Sequence, residues 1–126
     1  MGESMAKEIL VMDNEPDMLK SIKEILENEG YRVSCFNTGQ KVIKALKTRK
    51  FDLLILDMIM DPGMDGLDTY RSILEIHPKQ KAIIVSGFSE SDRVHAAQSL
   101  GAGTYVRKPY VIEKLGLAVR TELDIK

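Results

Sequence analysis

The feature that most constrains the fold is a short apolar run in the middle of the chain, FDLLIL at residues 51–56, which ends at Asp57. A run that lacks polar alternation is typical of a strand buried on both faces, as in a parallel sheet. Open sheets of this kind place their chemistry outside the carboxyl ends of the strands. Asp57 therefore marks a central strand and also the edge of the sheet where a functional site is expected.

Strand and helix patterns alternate five times along the chain. Apolar runs at 9–12, 31–36, 51–56, 82–85 and 104–107 predict the strands. Apolar residues at helical spacing follow each run, as in Met18, Leu19, Ile22 and Leu26, and Pro16 suits the first turn of that helix. Such alternation predicts βαβ units with right-handed crossovers and a parallel sheet. We therefore expect a single α/β domain of the (βα)5 type over residues 7–126.

The later helices carry more specific expectations. The third is predicted over residues 66–77, with Tyr70 directed inward and Pro78 closing it. The fourth should bury Val94, Ala97 and Leu100, and the fifth should bury Ile112, Leu115 and Val119. His77 and His95 are expected on helix surfaces, where their spacing does not make a metal pair.

Composition excludes several classes of protein. The chain has 126 residues, 44% hydrophobic and 29% charged, with a formal net charge of -1, so no general attraction to nucleic acid or an anionic membrane is expected. No apolar stretch approaches the ~20 residues that span a bilayer. Cys35 is the single cysteine, which agrees with a cytoplasmic location. Residues 1–6 are interpreted as a tail, a tag remnant or the end of a linker.

Polar side chains follow four of the predicted strands. Asp13, Asn14 and Glu15 come after the first, Asp57 ends the third, Ser86 follows the fourth and Lys108-Pro109 follows the fifth. The carboxyl ends of parallel strands meet at one edge of a sheet, so these groups should converge. Acids, a hydroxyl and a lysine around one carboxylate indicate phosphoryl transfer to an aspartate with a divalent metal.

Four motifs carry a resemblance to a known family: ILVMDNEPD at 9–17, LLILDMIM with PGMDG at 53–66, IIVSG at 83–87, and GAGTYVRKP at 101–109. In this order and spacing, the chain resembles the receiver domain of two-component response regulators over nearly its full length. The resemblance implies a flavodoxin-like fold, in which a five-stranded parallel sheet has the strand order 2-1-3-4-5 and helices cover both faces.

The same resemblance implies roles for individual residues. Asp57 matches the phosphoacceptor, Lys108 matches the lysine that pairs with the phosphoryl oxygens, and Ser86 matches the hydroxyl that hydrogen-bonds the phosphate. Pro109 matches a proline that follows a cis peptide bond and directs the lysine into the site. The alternatives for these positions are a capping acid, a turn hydroxyl and a surface lysine.

A metal site is also implied, with Mg²⁺ or Mn²⁺ held by Asp13, Asn14, Asp57 and the backbone carbonyl of Ile59. The family usually has an acid where Asn14 stands. An amide oxygen can ligate a hard cation but brings no charge, so we expect weaker metal binding. Asp13 and Asn14 should in addition cap the first helix, and Glu15 is interpreted as a solvated first-turn acid.

Tyr105 matches the aromatic residue that moves together with Ser86 when the family switches. The implied output surface is formed by the fourth helix, the fifth strand and the fifth helix. The alternative is that Tyr105 is an ordinary half-buried residue of an edge strand.

The predicted function is that of a phosphoaccepting receiver, which takes a phosphoryl group from a histidine kinase or a histidine phosphotransfer domain and changes its partners. Such a domain assists its own modification but is not a turnover enzyme. The alternative is a pseudo-receiver, a protein-interaction module that is not phosphorylated, and Asn14 is the residue that suggests it. An aspartate-nucleophile phosphatase would need an acid where Ile59 stands.

Three settings fit the sequence: a stand-alone regulator, a receiver from a longer response regulator, or the receiver of a hybrid histidine kinase. The segment from Ile83 to Tyr110 is most similar to hybrid-kinase receivers. No helix-turn-helix or basic region is visible after the fifth predicted helix, so we expect no direct contact with nucleic acid and none with a membrane.

Overall fold

A computed structural model of the protein describes residues 6–58, 66–86, 92–107 and 112–124. Strands and helices alternate strictly in these ranges. Their bounds are β1 Glu8–Met12, α1 Pro16–Asn28, β2 Arg32–Phe36, α2 Gly39–Leu46, β3 Leu53–Asp57, α3 Gly66–Ile76, β4 Ala82–Ser86, α4 Asp92–Ser99, β5 Tyr105–Arg107 and α5 Ile112–Asp124. The predicted tail at residues 1–6 lies outside the described residues, apart from Ala6.

The strands form one parallel sheet in the order β2-β1-β3-β4-β5. This order confirms the predicted flavodoxin-like fold. β3 lies between β1 and β4, and all five of its residues are buried. That burial explains why its sequence shows no polar alternation.

The sheet separates two apolar cores, one on each face. One core joins the side chains of Leu54 and Leu56 to α2, α3 and α4. The other joins Leu53 and Ile55 to α1 and α5. Successive residues of a strand point to opposite faces, so β3 contributes to both cores, and helices cover both faces as predicted.

Local sequence signals set the ends of several elements. Pro16 begins α1, where its missing N–H has no helical partner to lose. Thr38 caps α2, because its hydroxyl accepts a hydrogen bond from the Lys41 backbone N–H at 3.2 Å. Gly30, two residues before β2 begins, has a φ of 99°, a left-handed conformation that favours glycine.

Two expectations about side chains were wrong. Leu100 was expected inside, but it is 42% exposed because α4 ends at Ser99 and the chain then turns through Gly101, whose φ is 119°. His77 was expected on a helix surface, but it follows α3 half-buried, with Nε2 2.9 Å from the Leu46 carbonyl oxygen. No helix within the described ranges is both long and apolar enough to cross a membrane.

Candidate functional site

The register of the central strands places two acids side by side at the carboxyl edge of the sheet. Met12 of β1 pairs with Leu56 of β3, and each of these residues is followed directly by an acid, Asp13 and Asp57 respectively. The Asp13 backbone N–H also donates to the Phe36 carbonyl at 3.1 Å, which holds the end of β1 against β2. The prediction that Asp13 and Asp57 share one edge is therefore confirmed.

Both acids are buried. Asp13 is 3% exposed and Asp57 is 4% exposed. Two neighbouring carboxylates removed from water repel each other, and their burial is costly unless a positive group compensates their charge. A divalent cation with oxygen ligands would supply that charge, so the pair fits the Mg²⁺ site that the sequence predicted.

Within the described residues, the two acids are not part of a larger cluster of ligand side chains. No group of three or more His, Cys, Asp or Glu side chains comes together as a metal-ligand set anywhere in the described ranges. Glu15 therefore does not join Asp13 and Asp57 in such a set, in keeping with its prediction as a solvated acid, and it is exposed. Asn14, also exposed, is the neighbouring residue that can add an uncharged oxygen.

Asp13 has a second task at the start of α1. Its Oδ1 accepts a hydrogen bond from the Glu15 backbone N–H at 3.0 Å, a local side-chain contact that stabilises the turn into the helix. Glu15 is the N-cap residue, and its own side chain makes no capping bond. Asp13 thus contributes to the start of the helix by accepting a hydrogen bond from the backbone N–H of the N-cap residue.

A cavity of about 470 Å³ lies beside Asn14, between α1 and the end of β2, and Cys35 and Lys41 also line it. The Cys35 thiol donates a long hydrogen bond, 3.7 Å, to the Leu19 carbonyl. Burial raises the pKa of Cys35 above its ordinary value, so its thiol stays protonated and poorly nucleophilic near neutral pH.

The start of α3 packs directly on the backbone of Asp57. The Met58 N–H donates to the Val85 carbonyl at 2.7 Å, and the Gly66 N–H donates to the Met58 carbonyl at 3.2 Å. A Cβ atom on residue 66 would lie 2.6 Å from the Asp57 carbonyl oxygen. Glycine is therefore required for α3 to begin here. From the sequence alone, Gly66 looks only like a glycine between a loop and a helix.

The remaining predicted residues are placed in part. Val85 pairs with Asp57, so the backbone of Ser86 follows at the same edge, where it pairs with Arg107. Tyr105 pairs with Ile84 and packs half-buried against the core of α2, α3 and α4. Three predicted site residues, Ile59, Lys108 and Pro109, lie outside the described residues.

One buried acid was not singled out from the sequence. Glu122 of α5 is 9% exposed, and its Oε2 accepts hydrogen bonds from the Thr104 backbone N–H at 3.1 Å and from the Thr104 hydroxyl at 2.8 Å. A side chain on Gly103 would overlap this carboxylate. The available signal was spacing, because Glu122 comes seven residues after Leu115 on the apolar face of the helix.

Comparison with known proteins agrees with this geometry. Residues 9–120 match the family described as response regulator receiver domain. The chain is 29% identical over 122 residues to sporulation initiation phosphotransferase F of Bacillus subtilis, covering 97% of this chain and 98% of the relative. It is 32% identical over 115 residues to the transcriptional regulatory protein CpxR of Escherichia coli, covering 91% of this chain and 48% of the relative.

Among solved structures, a CheY-like response regulator receiver domain protein from Methanospirillum hungatei superposes with a TM-score of 0.88 at 28% identity, covering 94% of each chain. The chain thus spans nearly all of some relatives and about half or less of others, such as the 48% of CpxR. The fold, the two adjacent acids and the family match lead to one conclusion: the chain belongs to the response regulator receiver domain family.

Proposed function

We propose that this receiver domain is an active phosphoacceptor and that Asp57 takes a phosphoryl group from the phosphohistidine of a histidine kinase or a histidine phosphotransfer domain. The observation that carries the proposal is the pair of buried acids, Asp13 and Asp57, at the carboxyl ends of the adjacent strands β1 and β3. The name of the Bacillus subtilis relative, a phosphotransferase, favours the same chemistry.

In the proposed reaction, a carboxylate oxygen of Asp57 attacks the phosphorus in line with the imidazole nitrogen of the donor. The oxygen–phosphorus bond forms as the phosphorus–nitrogen bond breaks, and the imidazole leaves with the bonding electron pair. Phosphoryl transfer needs positioning and charge neutralisation more than covalent assistance. The buried end of β3 and the contact with Gly66 hold the Asp57 backbone in place.

The family generally depends on Mg²⁺. We assign its protein ligands here to Asp13, Asp57 and Asn14, with the Ile59 carbonyl as a further oxygen, and Mn²⁺ would suit the same oxygen donors. When bound, the metal would neutralise charge on the carboxylates and the phosphoryl oxygens. Asp13 contributes independently of it by fixing the turn into α1.

Lys108 and Ser86 are proposed to contact the phosphoryl oxygens, with Pro109 orienting the lysine, and Tyr105 is proposed to follow Ser86 in the switch. Receiver domains of this family interact with histidine kinases and output domains. We propose that the output partner binds the surface of α4, β5 and α5. Phosphotransfer from a histidine kinase also implies a location in the cytoplasm.

Phosphorylation by acetyl phosphate with Mg²⁺, followed by intact mass, tests the proposal. The wild-type chain should gain one phosphoryl group, and Asp57→Asn should gain none, because an amide oxygen cannot form the acyl phosphate. Asp52→Asn is the matched control. Asp52 precedes the same strand at the opposite edge, and its carboxylate accepts the Glu8 backbone N–H at 2.7 Å, which an amide oxygen can also do.

Phosphorylation of Asp57→Asn would refute the assignment of the acceptor. A folded wild-type chain that takes no phosphoryl group from either acetyl phosphate or a phosphohistidine donor would instead establish the pseudo-receiver. That alternative rests on Asn14 alone.

A further inference from the structure

The amino edge of the sheet carries a second set of charged groups. Lys7 directly precedes β1, Lys50 comes three residues before β3, and Lys79 and Lys81 come shortly before β4. These strands are neighbours in the order β1-β3-β4. The amino ends of these strands therefore bring the four lysines to one edge of the sheet. Asp57 lies at the opposite, carboxyl edge.

The four lysines line a single groove of about 600 Å³. Asp52 is the only acid among its lining residues within the part of the chain that the structure describes, so these side chains carry a formal charge of +3. Because the whole chain carries -1, all other residues together carry -4. The groove is thus strongly cationic in an acidic protein, and its volume falls in the range of small-molecule sites, roughly 300–1,000 Å³.

Hydrogen bonds fix the walls of the groove. The Lys81 ammonium donates to the Glu122 carbonyl oxygen at 2.8 Å. The Gln80 amide donates to the carbonyls of Phe51 and Lys81, both at 3.1 Å. Lys7, Lys50 and Lys79 are exposed at the rim. Walls fixed by hydrogen bonds, with charged groups at the rim, suit a ligand that approaches from solvent.

The chemistry of these groups selects a class of ligand. Lysine ammonium groups bind phosphate as compact point charges. Several ammonium groups around one groove repel each other, and an anion with several charges relieves this repulsion better than a monoanion does. Ile76, Pro78 and Leu123 add apolar surface to the same groove, which can contact a ring. We propose that the groove binds a small anion with two or more phosphate groups, such as a nucleoside diphosphate.

Binding can be measured by titrating the ¹⁵N-labelled full chain with ADP, tripolyphosphate and adenosine in the absence of Mg²⁺. ADP should cause saturable shifts at the amides of Lys7, Lys50 to Asp52, His77 and Lys79 to Lys81, and not at Asp13 or Asp57. The affinity should fall as salt is raised, because ions screen charged groups at the protein surface. Adenosine alone should bind far more weakly, since it lacks the phosphates.

A pair of double variants tests the lysines. Lys50→Ala/Lys79→Ala should weaken ADP binding by about tenfold or more. Lys20→Ala/Lys44→Ala removes the same charge from the exposed surfaces of α1 and α2 and should leave binding within about twofold. All four lysines are exposed, so both variants should fold, and their melting temperatures check this.

The probes also separate the sources of recognition. Tripolyphosphate that binds as tightly as ADP, or more tightly, would support a site that recognises phosphates alone, and tighter ADP binding would support an added contact with the ring. The proposal fails if no saturable shift occurs up to about 1 mM ligand. It also fails if both double variants lose affinity equally, if the shifts centre on Asp13 and Asp57, or if an acidic peptide saturates the groove while both phosphate probes do not.

Discussion

At its carboxyl edge the sheet ends in buried acids, whereas at its amino edge the same neighbouring strands begin beside exposed lysines. Asp13 and Asp57 are almost fully removed from water, while Lys7, Lys50 and Lys79 reach solvent. A buried charge interacts strongly with its neighbours and is costly unless a group of opposite charge lies beside it. Exposed charges interact weakly one by one, so their combined charge matters more than the position of each. The carboxyl edge should therefore be sensitive to single atoms, and the amino edge to total charge.

The largest expected effect is at the carboxyl edge. Gly66→Ala would place a methyl group 2.6 Å from the Asp57 carbonyl oxygen, against backbone that cannot rotate away. We expect a loss of about 3 kcal/mol in the free energy of unfolding, from overpacking. Phosphorylation by acetyl phosphate should also slow, because relief of the clash displaces Asp57. Urea denaturation and intact mass measure the two effects.

Gly116→Ala is the matched control for this change. A Cβ atom there would lie 3.2 Å from a Glu29 carboxylate oxygen and 3.4 Å from an Arg120 nitrogen. Both are ends of flexible side chains, which are joined by an ion pair of 2.8 Å, and alanine favours a helix by about 0.8–1.0 kcal/mol over glycine. We expect unchanged or slightly higher stability, so similar losses in both variants would contradict the special role of Gly66.

The next largest effect is expected at Glu122, a buried acid whose backbone carbonyl is bonded to Lys81 of the groove. It tests whether a single side chain also matters near the amino edge. Glu122→Ala removes the acceptor of both Thr104 hydrogen bonds and leaves a partly buried backbone N–H without its partner. We expect a loss of about 2 kcal/mol in the free energy of unfolding. Glu75→Ala, on the exposed side of α3, should change stability by less than about 0.5 kcal/mol. Equal effects of the two substitutions would refute the distinction.

The third prediction tests whether Asn14 is a ligand of the proposed metal site. Asn14→Asp adds a third carboxylate beside Asp13 and Asp57, so Mg²⁺ should bind about tenfold more tightly, a gain of about 1.4 kcal/mol. The metal-free variant should be slightly less stable, because the added charge is not compensated. Calorimetric titration and melting with and without Mg²⁺ measure both.

Asn28→Asp adds the same charge at the far end of α1, about 18 Å away along the helix, and should leave the affinity for Mg²⁺ unchanged. If Asn14→Asp also leaves it unchanged, another group already supplies the charge, and the assignment of Asn14 to the site would be wrong.

The smallest effect concerns Tyr70, whose hydroxyl donates to the Gln80 carbonyl at 2.8 Å beneath the lysine groove. Burial raises the pKa of Tyr70 above its ordinary value. The folded state therefore holds this proton more tightly than the unfolded state, so its contribution is complete below about pH 10 and is lost as the pH rises through the folded-state pKa.

Tyr70→Phe should cost about 1 kcal/mol near neutral pH, from the lost hydrogen bond. It should also reduce the loss of stability above about pH 10. Melting curves of both proteins across this range measure the difference. An identical alkaline loss in the variant would mean that Tyr70 does not contribute to it.

Much of the carboxyl edge was predictable, because its acids directly follow apolar runs and fall in family motifs. Asp13 and Asp57 therefore emerged from the sequence together. Lys50 and Lys79 did not, since lysines before a strand look like ordinary solvated residues until the strand order makes them neighbours. Glu122 was missed because a helical pattern identifies apolar positions but does not reveal which donor a buried acid will meet. Leu100 was misplaced because the pattern continued past the end of α4.

The length and position of β5 have a consequence for local unfolding. β5 has three residues and pairs with β4 on one side, whereas β3 has five and pairs on both sides. Opening β5 breaks fewer hydrogen bonds and exposes less apolar surface, so its amides should exchange with solvent before those of β3. Glu122 opposes this opening at the Thr104 end of the strand. A signal that moves Tyr105 would therefore act on a strand whose displacement requires less free energy than that of β3.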